Sequence, residues 1–342
     1  MISPMHSAKS EDNATRQCTS RPAELVIFGE TLIDDFPAAR VIGGAPFNVA
    51  RTLAALGCPP LLISRVGQDD AAFEVIAELR KFGLDETGLQ IDRNHTTGLV
   101  KVEMTGSSHQ FNILPDQAYD YIDVERARVT VSEVFQGKPP RCIYFGTLAQ
   151  RHQTSRACLR ALLANTDALT FLDLNLRDGQ FTSAIISDSL GLADIVKLNE
   201  DELRLVLRPT KLCFGDLPIE PSDDASRAEL QSALQGLARL FSLQAIIVTL
   251  GERGYVYLDR AGNMYHGAAS SASIEVVDTV GCGDAFSAIF LAGLLKGWAT
   301  EMALERAHAF AASICTLRGA VAPDLAFYQT WLRQWDQDKE PE

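Results

Sequence analysis

The chain of 342 residues is 46% hydrophobic, 22% charged and 8% aromatic, a globular balance that excludes a disordered or fibrous chain. Thirty-one Lys and Arg against 44 Asp and Glu leave a formal charge of −13. Long-range attraction to nucleic acid or an anionic membrane is therefore disfavoured, and an anionic ligand needs a local cluster of positive charge.

The first 23 residues are polar, with Lys9, Glu11, Asp12, Asn13 and Arg16 and no apolar run of a secretion signal. They are expected to be a disordered tail. From Glu24 short apolar runs alternate with helical patterns. Leu25 to Gly29 reads as a buried strand and Thr31 to Val41 as an edge strand. Pro46 to Leu56 reads as a helix with Pro at its start and Gly57 at its end. Leu61 to Val66 is strand-like, and Asp69 opens a helix closed by Gly83. Thr97 to Phe111 alternates about Gly106-Ser107-Ser108 and predicts an antiparallel hairpin. Strands follow at Cys142 to Phe145, Leu169 to Asp173, Ile195 to Leu198 and Ala245 to Thr249. Pro209 to Ser226 reads as a solvated loop before a helix around Leu230 to Leu240.

Short buried strands separated by helices predict an α/β fold with a mostly parallel sheet covered on both faces. The hairpin and edge strand form a small β addition in two pieces. Polar residues collect at the strand C-terminal ends (Asp173, Asn175, Asn199, Thr249, Gly251), the edge where open α/β sheets bind ligands.

Seven cysteines, at 18, 58, 142, 158, 213, 282 and 315, include no C-x-x-C. The six histidines form no H-x-H or H-E-x-x-H, so a zinc centre is not expected. Cys142 and Cys315 lie in apolar runs and read as reduced core residues. No stretch approaches the ~18 apolar residues of a membrane span. A soluble cytoplasmic protein is expected.

The most informative stretch is Val277-Asp278-Thr279-Val280-Gly281-Cys282-Gly283-Asp284-Ala285-Phe286, after which an almost wholly apolar helix continues. Such a turn can aim successive backbone N–H groups at one spot, at the positive end of a helix dipole. An acid beside an anion site makes sense if it takes a proton from a hydroxyl that attacks the anion. A plain N-cap is the other reading of Asp284, and the stretch alone does not separate them. No Walker A loop, third glycine of G-x-G-x-x-G, H-R-D or G-x-S-x-G is present.

The Asp278 to Phe286 stretch closely resembles the D-T-x-G-A/C-G-D-x-F motif of the PfkB/ribokinase carbohydrate kinases. Gly43-Gly44-Ala45-Pro46-Phe47-Asn48-Val49-Ala50 is similar to the same family's G-G-x-x-x-N-x-A motif. The likeness runs from about Leu25 to Pro323 and implies a ribokinase-like three-layer α/β/α fold. The expected organisation is a kinase domain over 24–330 with a β lid from approximately 31–42 and 95–122, and a C-terminal tail over 331–342.

The resemblance implies roles residue by residue. Asp284 matches the general base, and the amides of Gly281, Cys282 and Gly283 match the anion hole for the transferring phosphoryl group. Asp173-Leu174-Asn175-Leu176-Arg177 looks like the D-x-N-x-R element of the fructokinase-like branch, with Arg177 on a terminal phosphate. Asp34, Gly43, Gly44 and Asn48 match the sugar site. Thr249, Gly251 and Gly254 resemble the T-x-G-x-x-G nucleotide loop, joined on the nucleotide side by Lys197 and Asn199. Asn199 and Glu202 resemble the N-x-x-E pair that orders Mg2+ through water. Asp278, Val280 and Gly319 match a monovalent-cation loop, which would take K+.

The implied ligands are ATP with Mg2+ and a small-molecule sugar, with no nucleic acid and no membrane. The exposed face of the lid is a candidate homodimer surface. The motifs are closer to fructokinases than to ribokinases, so fructose is the expected acceptor. 2-Keto-3-deoxygluconate and ribose stay open, as does a non-catalytic sensor on the same fold.

Overall fold

Residues along each central strand alternate between two hydrophobic cores, and that alternation layers the molecule. A computed structural model of the protein describes residues 23–37, 39–105, 108–164, 166–210, 223–267 and 275–337. Its first half runs β1 (Leu25–Phe28), β2 (Leu32–Phe36), β3 (Ala39–Gly43), α1 (Ala45–Ala55), β4 (Leu61–Gly67), α2 (Asp70–Lys81), β5 (Leu89–Asp92), β6 (Gly98–Thr105), β7 (Ser108–Ile113) and α3 (Val124–Val134). Next come β8 (Cys142–Phe145), α4 (Gln153–Leu163), β9 (Leu169–Asp173), α5 (Ser183–Leu190), β10 (Ile195–Asn199), α6 (Glu200–Thr210) and α7 (Asp224–Phe241). The chain then forms β11 (Ala245–Thr249), β12 (Tyr255–Leu258), β13 (Met264–Gly267), α8 (Cys282–Lys296), α9 (Thr300–Ile314) and α10 (Leu325–Gln337).

The large sheet has nine strands in the order β13-β12-β11-β10-β9-β8-β1-β4-β5. Strands from β11 to β5 pair in parallel, and β12 and β13 add an antiparallel edge. Leu25 and Ile27 of β1, Cys142 and Tyr144 of β8, and Ala245 and Ile247 of β11 face one core. Their neighbours Val26 and Phe28, Ile143 and Phe145, and Ile246 and Val248 face the other. Side chains of successive strand residues point to opposite faces, so strands buried on both sides must be apolar at every position. Helices α1, α2, α8, α9 and α10 cover the first core, and α3 to α7 cover the second. This is the expected three-layer α/β/α arrangement.

A smaller sheet of four strands, β3-β2-β6-β7, is built from the two predicted pieces. The single edge strand expected over 31–41 is instead an antiparallel hairpin, β2 against β3, with β2 also pairing in parallel with β6. Residues 1–22, the turn residues 106–107 and most of the loop predicted over 209–226 lie outside the described residues.

The C-terminal tail expected over 331–342 is corrected for its first seven positions, which complete α10. Trp331 and Trp335, one helical turn apart, pack on Phe310 with ring centroids at 5.5 and 6.2 Å, and Trp335 is 3% exposed. Arg333, Gln334 and Asp336 around them mask this apolar stripe in the sequence. Trp335→Ala should therefore cost about 3–5 kcal/mol of stability, read from the denaturant midpoint at constant slope. A change within about 0.5 kcal/mol would mean that the helix is dispensable.

Candidate active site

The carboxyl ends of β9 and β10 meet the start of α8 through a buried ion pair. Asp173 closes β9, and both its oxygens accept from Lys197 Nζ of β10, at 2.7 and 2.8 Å. Ser287 Oγ of α8 donates to the same carboxylate at 2.8 Å and the Tyr144 hydroxyl of β8 at 3.3 Å. Taking two charges out of water is tolerated when geometry is close and remaining lone pairs are filled, as they are here.

Asp284, in the first turn of α8, is 7% exposed. Asn48 Nδ2 of α1 donates to its Oδ2 at 2.7 Å. The Asn48 carbonyl oxygen is itself held by Arg51 at 2.6 Å, and Arg51 is anchored by Glu78 and the Ile42 carbonyl, both at 2.9 Å. The amide therefore presents its donor side to Asp284. Burial and then the Asp173 charge raise the Asp284 carboxyl above its ordinary range, against the Asn48 bond and the charges of Lys197 and Arg177.

The turn before α8 is set by close packing at Gly281. Gly281 has φ +78°, and a Cβ there would lie 2.4 Å from the Ala320 Cα, so no other residue fits. First-turn N–H groups lack acceptors inside their own helix. The Cys282 N–H turns back to the Thr279 carbonyl at 3.4 Å. A side chain at Gly283 would meet Lys197 Nζ at 3.3 Å, which puts a cation beside the turn in this acidic chain. Asp278 clips the turn from below by accepting from Val280 N and Gly319 N, each at 3.0 Å. The three residues expected at a cation loop are thus together.

Cys282 and Cys315 are joined by a disulfide, with Cα atoms 6.2 Å apart. This corrects the reading of Cys315 as a reduced core residue, since the pairing spans 33 positions and has no local signal. The Cys315 carbonyl also accepts from Val277 N and Asp278 N at 2.8 and 3.2 Å, so the turn is fastened to the end of α9 twice. Cys142 and Cys158 are free and buried.

Across the cleft, β2 and β3 bring up Asp34, Gly43 and Gly44. A Cβ on Gly43 would lie 2.8 Å from Asp34 Oδ2, and one on Gly44 (φ +100°) 2.6 Å from the Glu30 carbonyl oxygen. Burial pushes the Asp34 carboxyl up to about 6, against the pull of Arg177. Arg177 is exposed, follows Asn175 in its left-handed conformation, and acts electrostatically on Glu30, Asp34 and Asp284.

Asn199 and Thr249 are register partners at the ends of β10 and β11. The following loop closes through Leu250 N to the Gly254 carbonyl at 2.9 Å, with Gly251 and Gly254 both at positive φ. The pair expected to order Mg2+ through water, Asn199 and Glu202, sits at the start of α6. Glu202 accepts from Leu176 N at 2.7 Å and Asn199 N at 2.8 Å, while Asn199 Oδ1 accepts from Glu202 N at 2.9 Å. Both side chains cap backbone, in the reciprocal manner of a capping box at a helix start. Among the described residues no cluster of three or more His, Cys, Asp and Glu could hold a metal ion. Direct ligation by this pair does not fit, and only contact through water is left.

Arg51, Glu30 and Arg151 were not among the residues singled out from sequence. A buried arginine inside an apolar helix and an acid after a strand carry no spacing signal. A cavity of about 450 Å³ between Leu295, Trp298, Arg306 and Trp335 is bordered by Glu24 and Pro59, which precede β1 and β4. It therefore lies at the amino ends of the strands, away from this cleft.

A family model described as pfkB family carbohydrate kinase matches residues 12–326. The chain belongs to the pfkB family of carbohydrate kinases. Fructokinase-1 of Oryza sativa subsp. japonica is 27% identical over 328 residues, covering 87% of this chain and 94% of that protein. The Escherichia coli fructokinase is 27% identical over 287 residues, with 80% and 84% covered. The crystal structure of an uncharacterized sugar kinase from Pyrococcus horikoshii superposes with a TM-score of 0.72 at 25% identity, covering 91% of this chain and 98% of that one. As a pfkB kinase, this protein is a phosphotransferase acting on a sugar hydroxyl. Among the described residues no helix is long and apolar enough to cross a membrane.

The buried acids make stability depend on pH. Burial raises the Glu30 carboxyl from 4.5 to about 7. A group held protonated by folding stabilises fully below its unfolded pKa, and this is lost as pH rises through the folded value. The stability of Glu30→Gln relative to the unsubstituted protein should therefore rise by about 2 kcal/mol between pH 5 and pH 8. Denaturation at the two pH values measures it, and a pH-independent difference would refute the raised carboxyl.

Proposed function

We propose that this pfkB kinase transfers the γ-phosphate of ATP to a hexose hydroxyl, and that fructose, giving fructose 6-phosphate, is the acceptor. The observation that carries the reading is Asp284, held by Asn48 beside a turn of backbone N–H groups and next to Lys197. The sugar hydroxyl attacks the γ-phosphorus while Asp284 takes its proton. A carboxyl raised by burial and by Asp173 is a better proton acceptor than an exposed one. The Gly281 to Gly283 turn and Lys197 meet the charge on the transferring group, and Arg177 adds a second cation at the mouth of the cleft. Asp34 and the backbone at Gly43 and Gly44 hold other hydroxyls of the sugar, since a carboxylate accepts from two neighbours at once. Thr249, Gly251, Gly254 and Asn199 line the nucleotide side.

Mg2+ arriving with ATP supplies charge neutralisation at the phosphates, and Asn199 and Glu202 would meet it only through water. A K+ ion beside Asp278, Val280 and Gly319 would rest on carbonyl oxygens, because the Asp278 carboxylate is engaged by two N–H groups. The smaller sheet acts as a lid that excludes water from the reacting groups. A cytoplasmic setting suits such substrates.

Support for fructose comes from the relatives named fructokinase and from Asp173-Leu174-Asn175-Leu176-Arg177. A phosphorylated acceptor fits less well, because β6 and β7 carry one lysine, Lys101, and no arginine.

Asp284→Asn should lower kcat by roughly 10²–10⁴ and leave ATP affinity unchanged, as read by calorimetry with the purified protein. Undiminished turnover would remove Asp284 from the reaction. The KM for sugar should rise as pH falls through about 6, where Asp34 takes up a proton and loses acceptor capacity. A flat KM between pH 5 and pH 8 would take Asp34 off the sugar. An ATP-coupled screen over fructose, ribose, 2-keto-3-deoxygluconate, fructose 6-phosphate and adenosine identifies the acceptor. Turnover of none would favour a non-catalytic sensor.

A further inference from the structure

Glu30 is a buried acid to which the mechanism assigns no task. It stands two residues beyond β1, where the chain's strand order reverses: β4 and β5 lie on one side of β1, and β8 to β11 on the other. Open α/β sheets form their ligand crevice outside the strand ends at such a switch point. Glu30 is 4% exposed, and its Oε2 has no hydrogen-bond partner among the described residues. Arg151, one of the two cations acting on it, is already bound to Asp120 at 2.7 and 2.8 Å, to the Leu114 carbonyl at 2.7 Å and to Gln180 at 2.6 Å. The other, Arg177, is shared with Asp34 and Asp284.

A second orphan lies close by. Tyr119 is fully buried, feels the Glu30 charge, and its hydroxyl also has no partner among the described residues. Its ring is wedged against Gly98, where a Cβ would stand 2.8 Å from Tyr119 Cε1 and 2.7 Å from the carbonyl oxygen of Thr31, the residue after Glu30. The Arg151 guanidinium lies over the same ring at 5.1 Å. Native proteins pair nearly all buried polar atoms, so two unpaired ones within electrostatic reach of each other, beside the strand ends, point to a ligand that pairs them.

We propose that Glu30 and the Tyr119 hydroxyl form a hydrogen-bonding station for a hydroxyl of the acceptor sugar other than the one phosphorylated, and that this station selects among sugars. The inference rests on the sugar-kinase reading above. Both groups can donate as well as accept: a phenol always, and Glu30 because burial pushes its carboxyl up to about 7. That matches a sugar hydroxyl, which does both. A site built to bond a hydroxyl rejects analogues that lack it, because its own buried groups are then left unpaired.

The test uses Glu30→Ala and Tyr119→Phe, assayed with whichever of the five screened compounds has the highest kcat/KM and with its single-deoxy analogues. Each variant should raise the sugar KM by about tenfold to a hundredfold and leave the ATP KM unchanged. The penalty should vanish for one deoxy analogue, which the unsubstituted enzyme itself binds as weakly as the variants bind the parent sugar. A penalty equal across all analogues would mean a structural role, and an unchanged sugar KM would mean none; either overturns the station. If Glu30→Ala does not fold, Tyr119→Phe, which loses one oxygen, decides alone. Turnover by the unsubstituted enzyme with no effect of the variants overturns this inference only. No turnover with any of the five compounds overturns the sugar-kinase reading and the inference together.

Discussion

Acids gathered at the carboxyl edge of the sheet must be kept apart from water and from one another, and most of the site's architecture answers that constraint. Asp173 and Asp284 repel each other across a buried space. Lys197 neutralises the first with two short hydrogen bonds, and Asn48 steadies the second with one. Because the two acids have different partners, they have different chemistry. Asp173 accepts from Lys197, Ser287 and Tyr144, while Asp284 accepts from Asn48 through Oδ2.

The same constraint explains why distant parts of the chain converge here. Asn48 is held in one orientation by Arg51, so α1 fixes the donor that Asp284 of α8 meets. Glu202, drawn onto the Leu176 N–H, sets the backbone that leads to Arg177. The Gly281 turn is fixed by close packing against Ala320, by the Asp278 clip and by the Cys282–Cys315 link. These supports hold the turn in one conformation, as the proposed anion-binding role requires of dipoles that must already be in place.

Central strands were legible in the sequence because burial on both faces demands unbroken apolar runs, and α8 because it is apolar all round. The β6–β7 hairpin was legible from its alternation. The edge strands β12 and β13 were not, since Tyr255 to Leu258 is buried at three of four positions and Met264 to Gly267 at none, so neither alternates. α10 was hidden by the polar residues between its tryptophans. Asp284, Asn48 and the glycines of the turn were visible as a motif, and the structure brings them within bonding distance or close packing. At Asn199 and Glu202 the spacing was legible, but the bond from the Leu176 N–H to Glu202 was not, because it joins positions 26 residues apart. Arg51, Glu30 and Arg151 depend wholly on tertiary packing.

The direct measurement is a crystal structure of the protein with a non-hydrolysable ATP analogue and the acceptor sugar. The γ-phosphate oxygens should lie about 3 Å from N–H groups of the Gly281 to Gly283 turn, with one sugar hydroxyl at hydrogen-bond distance from Asp284. A γ-phosphate bound away from that turn, or a sugar with no hydroxyl within reach of Asp284, would contradict the assignment of this cleft as the site of transfer.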